Sequence, residues 1–254
     1  MTRQGFSQGG IPLGETHGED EKLACNGNLA PPLTLSPKIY FAEILQGVFM
    51  SWIYYTTSDD KYRYALGEVQ DASDKVLFCF GINPSKATPQ KLDPTAKRVQ
   101  RISKEHGYDS WIVLNVCAQR ATEPNDMDKI QNLSIHKENL EIIAELLNKY
   151  SLCSDILFAY GDLISKRNYL KKNLCEIISI IRTTNYRGSC YCLGKTKSGN
   201  ARHPLYQKTD TQFVPFPLEG HTYSEILCLE DNRCVIRECA ENGDLVLETF
   251  GVCR

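Results

Sequence analysis

At 254 residues, 42% hydrophobic and 24% charged, the chain holds enough apolar material for one sizeable core and a small appendage. No apolar run approaches the ~20 residues that cross a bilayer. Residues 1–18 are polar and Gly-rich, without the apolar centre of a signal peptide, so a cytoplasmic protein is expected. The formal net charge of −2 argues against a general nucleic-acid coat.

The eleven cysteines include no C-x-x-C pair, only Cys190-x-Cys192 and the wide trio Cys228, Cys234 and Cys239. Cys79, Cys117 and Cys153 sit in apolar runs, where a thiol behaves as a small hydrophobe. The pattern reads as reduced structural thiols, with no metal site and no cofactor expected.

In chain order, residues 1–36 combine Gly, Pro, Glu and Asn with few aromatics, and a disordered leader is expected. An α/β domain is expected over 37–220. It opens with two aromatic, β-branched stretches within 38–69, separated by the polar turn Thr57-Ser58-Asp59-Asp60, which read as a β-hairpin. Residues 75–80 (KVLFCF) form a nearly continuous apolar run, as in a parallel strand covered on both faces. A helix over 94–106 follows, with Asp93 as N-cap, Pro94 near N1 and Gly107 as the stop. A second strand falls at 111–114, a helix at 134–150 and a third strand at 155–159. A long helix spans 163–182 and a fourth strand 189–193. This alternation predicts a three-layer αβα arrangement around a four-stranded, mainly parallel sheet, with small β additions at both ends. The last addition, over 221–254, reads as short antiparallel strands turning at Asp231-Asn232 and Asn242-Gly243.

In such sheets ligands bind beyond the carboxyl ends of the strands. Gly81 to Ser85 follow the first strand, and Asn115 the second with Arg120 shortly beyond. Tyr160-Gly161-Asp162 follow the third. After the fourth comes Gly194 to Gly199, then Arg202-His203-Pro204-Leu205-Tyr206. Polar and glycine residues therefore gather at one edge of the sheet, as a site requires. Around the last loop the charge is lopsided: ten Lys and Arg between Lys166 and Lys208 face Asp162, Glu176 and Asp210. This suits a local anionic contact, although Lys166 to Lys172 also fit a solvated helix face.

Four of these strand ends carry a resemblance. Gly81-Ile82-Asn83-Pro84 resembles the water-activating motif of the mismatch-specific uracil-DNA glycosylases. Val113-Leu114-Asn115 resembles that superfamily's strand ending in a base-reading asparagine. Phe158 to Gly161 resembles its third-strand end, and His203-Pro204-Leu205-Tyr206 is similar to its His-Pro-Ser-Pro loop. The four occur in the superfamily's order across residues 75–217. The longer texts, including Asp93-Pro94-Thr95 and Asn115 to Arg120, resemble a bacterial and phage-associated branch connected with defence against phages that carry modified bases. The first motif has asparagine where the fastest uracil enzymes have aspartate, so no strong base stands there.

The resemblance implies a monofunctional DNA glycosylase that flips a base out of the stack and leaves an abasic site. It makes Asn83 the holder of the attacking water and His203 a hydrogen-bond donor to the departing base. Asn115 offers a donor and an acceptor to the base's paired edge. Phe80, Ser85, Arg120 and Tyr160 are expected around the base, with Ser85, Thr88 and Arg120 available to a sugar hydroxyl on it. Leu205 or Tyr206 would fill the vacated stack, and Lys195, Lys197 and Arg202 would contact phosphates. Asp93 belongs to the branch pattern without an assigned role. Each assignment has a structural alternative: an Asn-Pro turn former at Asn83, a strand-end cap at Asn115, an N-cap at Asp93, core packing at Phe80. The expected partner is DNA, specifically phage DNA with modified bases such as glucosylated hydroxymethylcytosine. No membrane partner is expected, and the protein reads as a monomer. Two other functions stay open: a base-binding module without turnover, and a hydrolase of free nucleosides or nucleotides.

Overall fold

A computed structural model describes residues 44–45, 48–70, 75–152 and 154–219, and the strands within 223–252. The leader over 1–36, Cys153 and the two C-terminal turns expected at Asp231-Asn232 and Asn242-Gly243 lie outside the described residues.

β1 (Ile44–Leu45) and β2 (Val48–Phe49) form a short antiparallel ladder. The aromatic stretches fold as expected into a hairpin of β3 (Ser51–Thr56) and β4 (Arg63–Val69). Asp60 takes φ 57° in its turn, a left-handed conformation that aspartate tolerates. Its carboxylate accepts from the Tyr54 and Thr56 hydroxyls. β5 (Val76–Gly81), β6 (Ser110–Asn115), β7 (Ser154–Phe158) and β8 (Cys190–Cys192) are the four strands expected from the apolar runs, and β9 (Val214–Pro215) completes the set.

The sheet they build has seven strands in the order β3-β4-β6-β5-β7-β8-β9 and is mixed, which corrects the expected four-stranded, mainly parallel sheet. The pairs β5/β6, β5/β7 and β7/β8 are parallel. Left alone, those four strands would expose unpaired backbone groups along the outer edges of β6 and β8. β4 pairs antiparallel with β6, Ala65 opposite Leu114, and β9 pairs antiparallel with β8. The N-terminal hairpin is therefore an integral part of the main sheet. Its strand β4 is almost wholly buried, which its run of apolar side chains permits.

Side chains alternate across the sheet and divide the core in two. On one face α1 (Pro94–Glu105) packs Ala96, Val99 and Ile102 over Leu77, Cys79, Trp111 and Leu157. On the other, α2 (Leu133–Lys149) and α3 (Asn168–Thr183) bury Ile142, Leu146, Leu174 and Ile178 against Phe78, Phe80, Ile112 and Phe158. The helix expected over 163–182 is two pieces: a 3-10 turn, Asp162–Ser165, and then α3. Arg167 breaks it. Its backbone is extended (φ −135°, ψ 143°), and its guanidinium donates to the carbonyls of Asn125 and Met127.

β10 (Tyr223–Cys228), β11 (Arg233–Cys239) and β12 (Leu245–Val252) form a separate three-stranded antiparallel sheet. Among the described residues, no helix is long and apolar enough to cross a membrane. Cys79, Cys117, Cys175, Cys190 and Cys192 are free thiols, three of them buried.

Candidate functional site

The strand alternation that puts α1 over Cys79, Val113 and Ala159 also sends Gly81 and Asn115 toward that helix, at the carboxyl ends of β5 and β6. There, between the strand ends and the N-terminus of α1, lies a cleft of about 570 Å³, part of it open to solvent. Asn83, Asn115 and His203 all line it, together with Ser85 and Asp93. Three distant stretches of sequence are thereby brought to one cavity.

The fold holds each of the three in a definite orientation. Beyond β6 the chain runs beside the segment that follows β5: Val116 donates to the Gly81 carbonyl at 3.0 Å and Ala121 to that of Pro84 at 2.9 Å. The Asn83 amide nitrogen donates to the carbonyls of Ala121 (2.8 Å) and Pro84 (3.1 Å). Its side-chain oxygen, on the opposite side of the amide, has no protein donor among the described residues. Asn115 is 2% exposed. Buried asparagines grip the strand end that carries it: Asn139 of α2 donates to the Asn115 carbonyl, and Asn173 of α3 to that of Val116. The Asn115 side-chain nitrogen is buried and has no partner among the described residues, an expensive state unless a ligand completes it. Gly81 makes the space beside it, since a Cβ there would stand 3.1 Å from Asn115 Oδ1.

His203 caps a 3-10 turn, Pro204–Tyr206, by accepting at Nδ1 from the Leu205 amide at 3.3 Å. In the neutral ring the hydrogen therefore sits on Nε2, which is left as a donor. Burial pushes the imidazole below its ordinary pKa, partly opposed by the Asp93 carboxylate. Gly161, at φ +64°, lets the loop after β7 turn beside the histidine loop, where an added Cβ would stand 3.4 Å from the His203 Cβ; its own amide donates to the Ala201 carbonyl.

Other expected residues fall elsewhere. Phe80 points to the opposite face of the sheet, stacked on Phe158 at 5.5 Å, because it is one residue out of phase with Gly81; it cannot stack on a base in this cleft. Tyr160 is buried among Phe158 and Phe216 and reaches only the outer cleft. Arg120 does not line the pocket. It clamps the loop above it, donating to the Ser85 and Ala87 carbonyls and to Asp60 at the hairpin turn. Thr88 closes a tight turn with Lys91 instead of facing the cleft. Asp93 is the N-cap of α1, its Oδ1 accepting from Ala96 at 2.8 Å, and it also borders the pocket.

A second, wider hollow of about 1150 Å³, open to solvent, shares Leu163 and His203 with the first. Arg202 and Tyr206 line it, Tyr206 being 82% exposed. Lys195 and Lys197 stand exposed on the adjoining loop, while Leu205 is half-buried. That loop is anchored by Asp162, which accepts from Thr196 and Asn200 at 2.7 Å each; these bonds lower its pKa. Elsewhere in the basic stretch, Arg167 and Arg182 are spent on backbone carbonyls.

Arg63 is a charged lining residue that no motif indicated. Its sequence signal was a lone charge in the aromatic strand Tyr62-Arg63-Tyr64-Ala65-Leu66. Among the described residues, no group of three or more His, Cys, Asp or Glu is placed to hold a metal ion.

A family model described as a protein of unknown function (DUF1643) matches residues 63–205, from Arg63 to the histidine loop. No curated protein matches the sequence. Among solved structures, an acetyl xylan esterase from Paenibacillus sp. R4 is similar over 59% of this chain and 50% of its own, at 12% identity. The chain thus spans about half the length of that protein, and the TM-score of 0.28 is too low to bear on fold or site.

Proposed function

Because the chain belongs to the DUF1643 family, whose function is unknown, its activity has to be read from the cleft, and we propose that it is a DNA glycosylase acting on a modified base. The observation that carries this reading is the polarity of the cleft. The Asn115 nitrogen has no partner, His203 has Nε2–H to offer, and the buried Arg63 adds a positive charge. Cleaving an N-glycosidic bond sends both bonding electrons to the base, so donors aimed at the base favour the transition state over the ground state. Water supplies the oxygen that bonds C1′, and the proton it sheds ends on the released base. The Asn83 side-chain oxygen, held in place by the two bonds of its nitrogen, is the acceptor that would hold that water.

The outer hollow adjoins the inner cleft at Leu163 and His203, which line both, and this supports a bulky base over plain uracil. Our reading of that base is glucosylated hydroxymethylcytosine of phage DNA, with the sugar in the outer hollow and antiviral defence as the role. Arg202 and the exposed Tyr206 line that hollow and Lys195 and Lys197 stand on the adjoining loop, where a flipped nucleotide's phosphates and neighbours would lie. A base-binding module without turnover is the second reading. It is favoured by Asp93 being the one carboxylate lining the inner cleft, with Oδ1 already committed to the helix cap.

The test is to treat modified phage DNA, uracil-containing DNA and unmodified DNA with the pure protein and assay abasic sites. Abasic sites on the modified DNA, formed far faster than on the others, are expected. Tight binding without abasic sites would select the module, and activity on free nucleosides alone would overturn both.

A further inference from the structure

Arg63 stands at the start of β4 and is 3% exposed, yet among the described residues its side chain makes one hydrogen bond, from a terminal nitrogen to the Ala87 carbonyl at 2.8 Å. Its Nε is buried without a partner, and among the described residues it enters no ion pair. A structural role does not account for this. Arg120 already donates to the Ala87 carbonyl and holds Ser85 and Asp60 as well, so the loop has its clamp. Burying a second guanidinium beside the first is costly unless something anionic answers it. Asp93 and Asp60 lie within electrostatic reach and answer part of the charge, but among the described residues neither hydrogen-bonds the guanidinium. Burial and the nearby Arg120 lower the Arg63 pKa to about 10, which leaves it charged at neutral pH.

We infer that Arg63 contacts the ligand directly, and that the group it receives is an anionic ring oxygen or nitrogen, such as a pyrimidine bears after leaving its sugar with the bonding electrons. The inference rests on the glycosylase reading and adds a residue and a charge requirement to it. With the Asn115 nitrogen, Arg63 gives the inner cleft two unpaired donors from different strands, one of them cationic. A neutral base in the ground state would draw modestly on that charge; the departing anion would draw on it fully.

Barbiturate tests this without DNA, because it is a pyrimidine ring that is anionic at neutral pH, whereas uracil is the neutral counterpart. Calorimetric titration of the full-length protein at pH 7.5 is expected to show barbiturate binding at least about tenfold tighter than uracil, the scale of one charged hydrogen bond. Arg63→Gln should abolish that preference, and Arg63→Lys, which keeps the charge but not the fork, should reduce it. Wild-type protein without the preference, or a folded Arg63→Gln that retains it, would overturn the assignment. If Arg63→Gln does not fold, an undiminished preference in Arg63→Lys overturns it instead. Wild-type protein that makes abasic sites but shows no barbiturate preference sinks Arg63 alone. An Arg63-dependent preference without abasic sites on any DNA sinks the glycosylase reading and leaves Arg63 as an anion contact.

Discussion

Asn83 divides one amide between the fold, which its nitrogen holds, and the cleft that it lines. Its nitrogen fastens the loop to Ala121, and that bond is what aims its oxygen. Asn83→Asp is therefore no simple improvement, because an ionised carboxylate would meet the carbonyls of Ala121 and Pro84 with nothing to donate. Asn83→Ala is expected to lower base release at least about 10²-fold, as is His203→Ala, the scale of losing one transition-state partner. Abasic-site rates set against melting temperature check this, since a mainly structural role would move the second and spare the first. His203 also makes a pH prediction. With its pKa below the ordinary 6.5, the ring contributes fully to stability above that value. As pH falls beneath it the unfolded chain takes up the proton first, so stability declines, and protonation sets Nδ1–H against the Leu205 amide. Melting temperature should fall between pH 7.5 and 5.5, and by less in His203→Gln.

The element that shapes the cleft roof is the loop from Ile82 to Asp93, and two arginines from elsewhere hold it. Arg120 is partly an ion pair and partly a backbone clamp, and magnitudes separate the two. Asp60 is 57% exposed at the side chain, so its pairing contributes no more than about 1 kcal/mol. The bonds to the Ser85 and Ala87 carbonyls are charge-assisted and sheltered, worth about 1.5–3 kcal/mol each. Asp60→Asn, which removes the charge but keeps an acceptor and tolerates the left-handed turn, should therefore cost under about 1 kcal/mol in urea denaturation, and Arg120→Ala at least about 2 kcal/mol. Equal losses would show that the ion pair dominates. Elements of this kind were partly legible. The four inner strands and the helices between them announced themselves through continuous apolar runs and the Asp93-Pro94 cap. β9 did not: two residues carry no periodicity, and their pairing with β8 depends on where the chain returns. Arg167 hid the break before α3, because a basic residue at helical spacing looks like a solvated face until its carbonyl partners are known.

For the whole molecule, legibility depended on convergence. Asn83, Asn115 and His203 could be singled out because each follows a strand, and parallel strands gather their carboxyl ends. For Phe80 the structure bears out core packing over a contact with the base, as period-two alternation separates it from Gly81 and Cys79. Arg63 stayed hidden because a charge on an antiparallel edge hairpin acquires meaning only when that hairpin is known to join the sheet beside β6.

The net charge of −2 sets the final expectation. Such a protein has no general attraction for DNA, so its electrostatic contact must be local. Of three exposed cations, Arg202 lines the outer hollow and Lys195 and Lys197 stand on the adjoining loop; Arg202 is partly held by the Lys195 carbonyl at 2.9 Å. Each phosphate contact contributes about 0.9 to the slope of log affinity against log salt on duplex DNA, or about 0.7 on a single strand. Replacing all three by Gln should flatten that slope by about 2–3 in fluorescence anisotropy, while affinity falls alike for modified and unmodified DNA, because phosphates carry no base identity. Replacing the exposed helix lysine Lys171 and its neighbour Lys172 should leave the slope unchanged. If the helix pair moves the slope and the loop trio does not, DNA approaches the sheet from a different side, and the outer hollow is not its entrance.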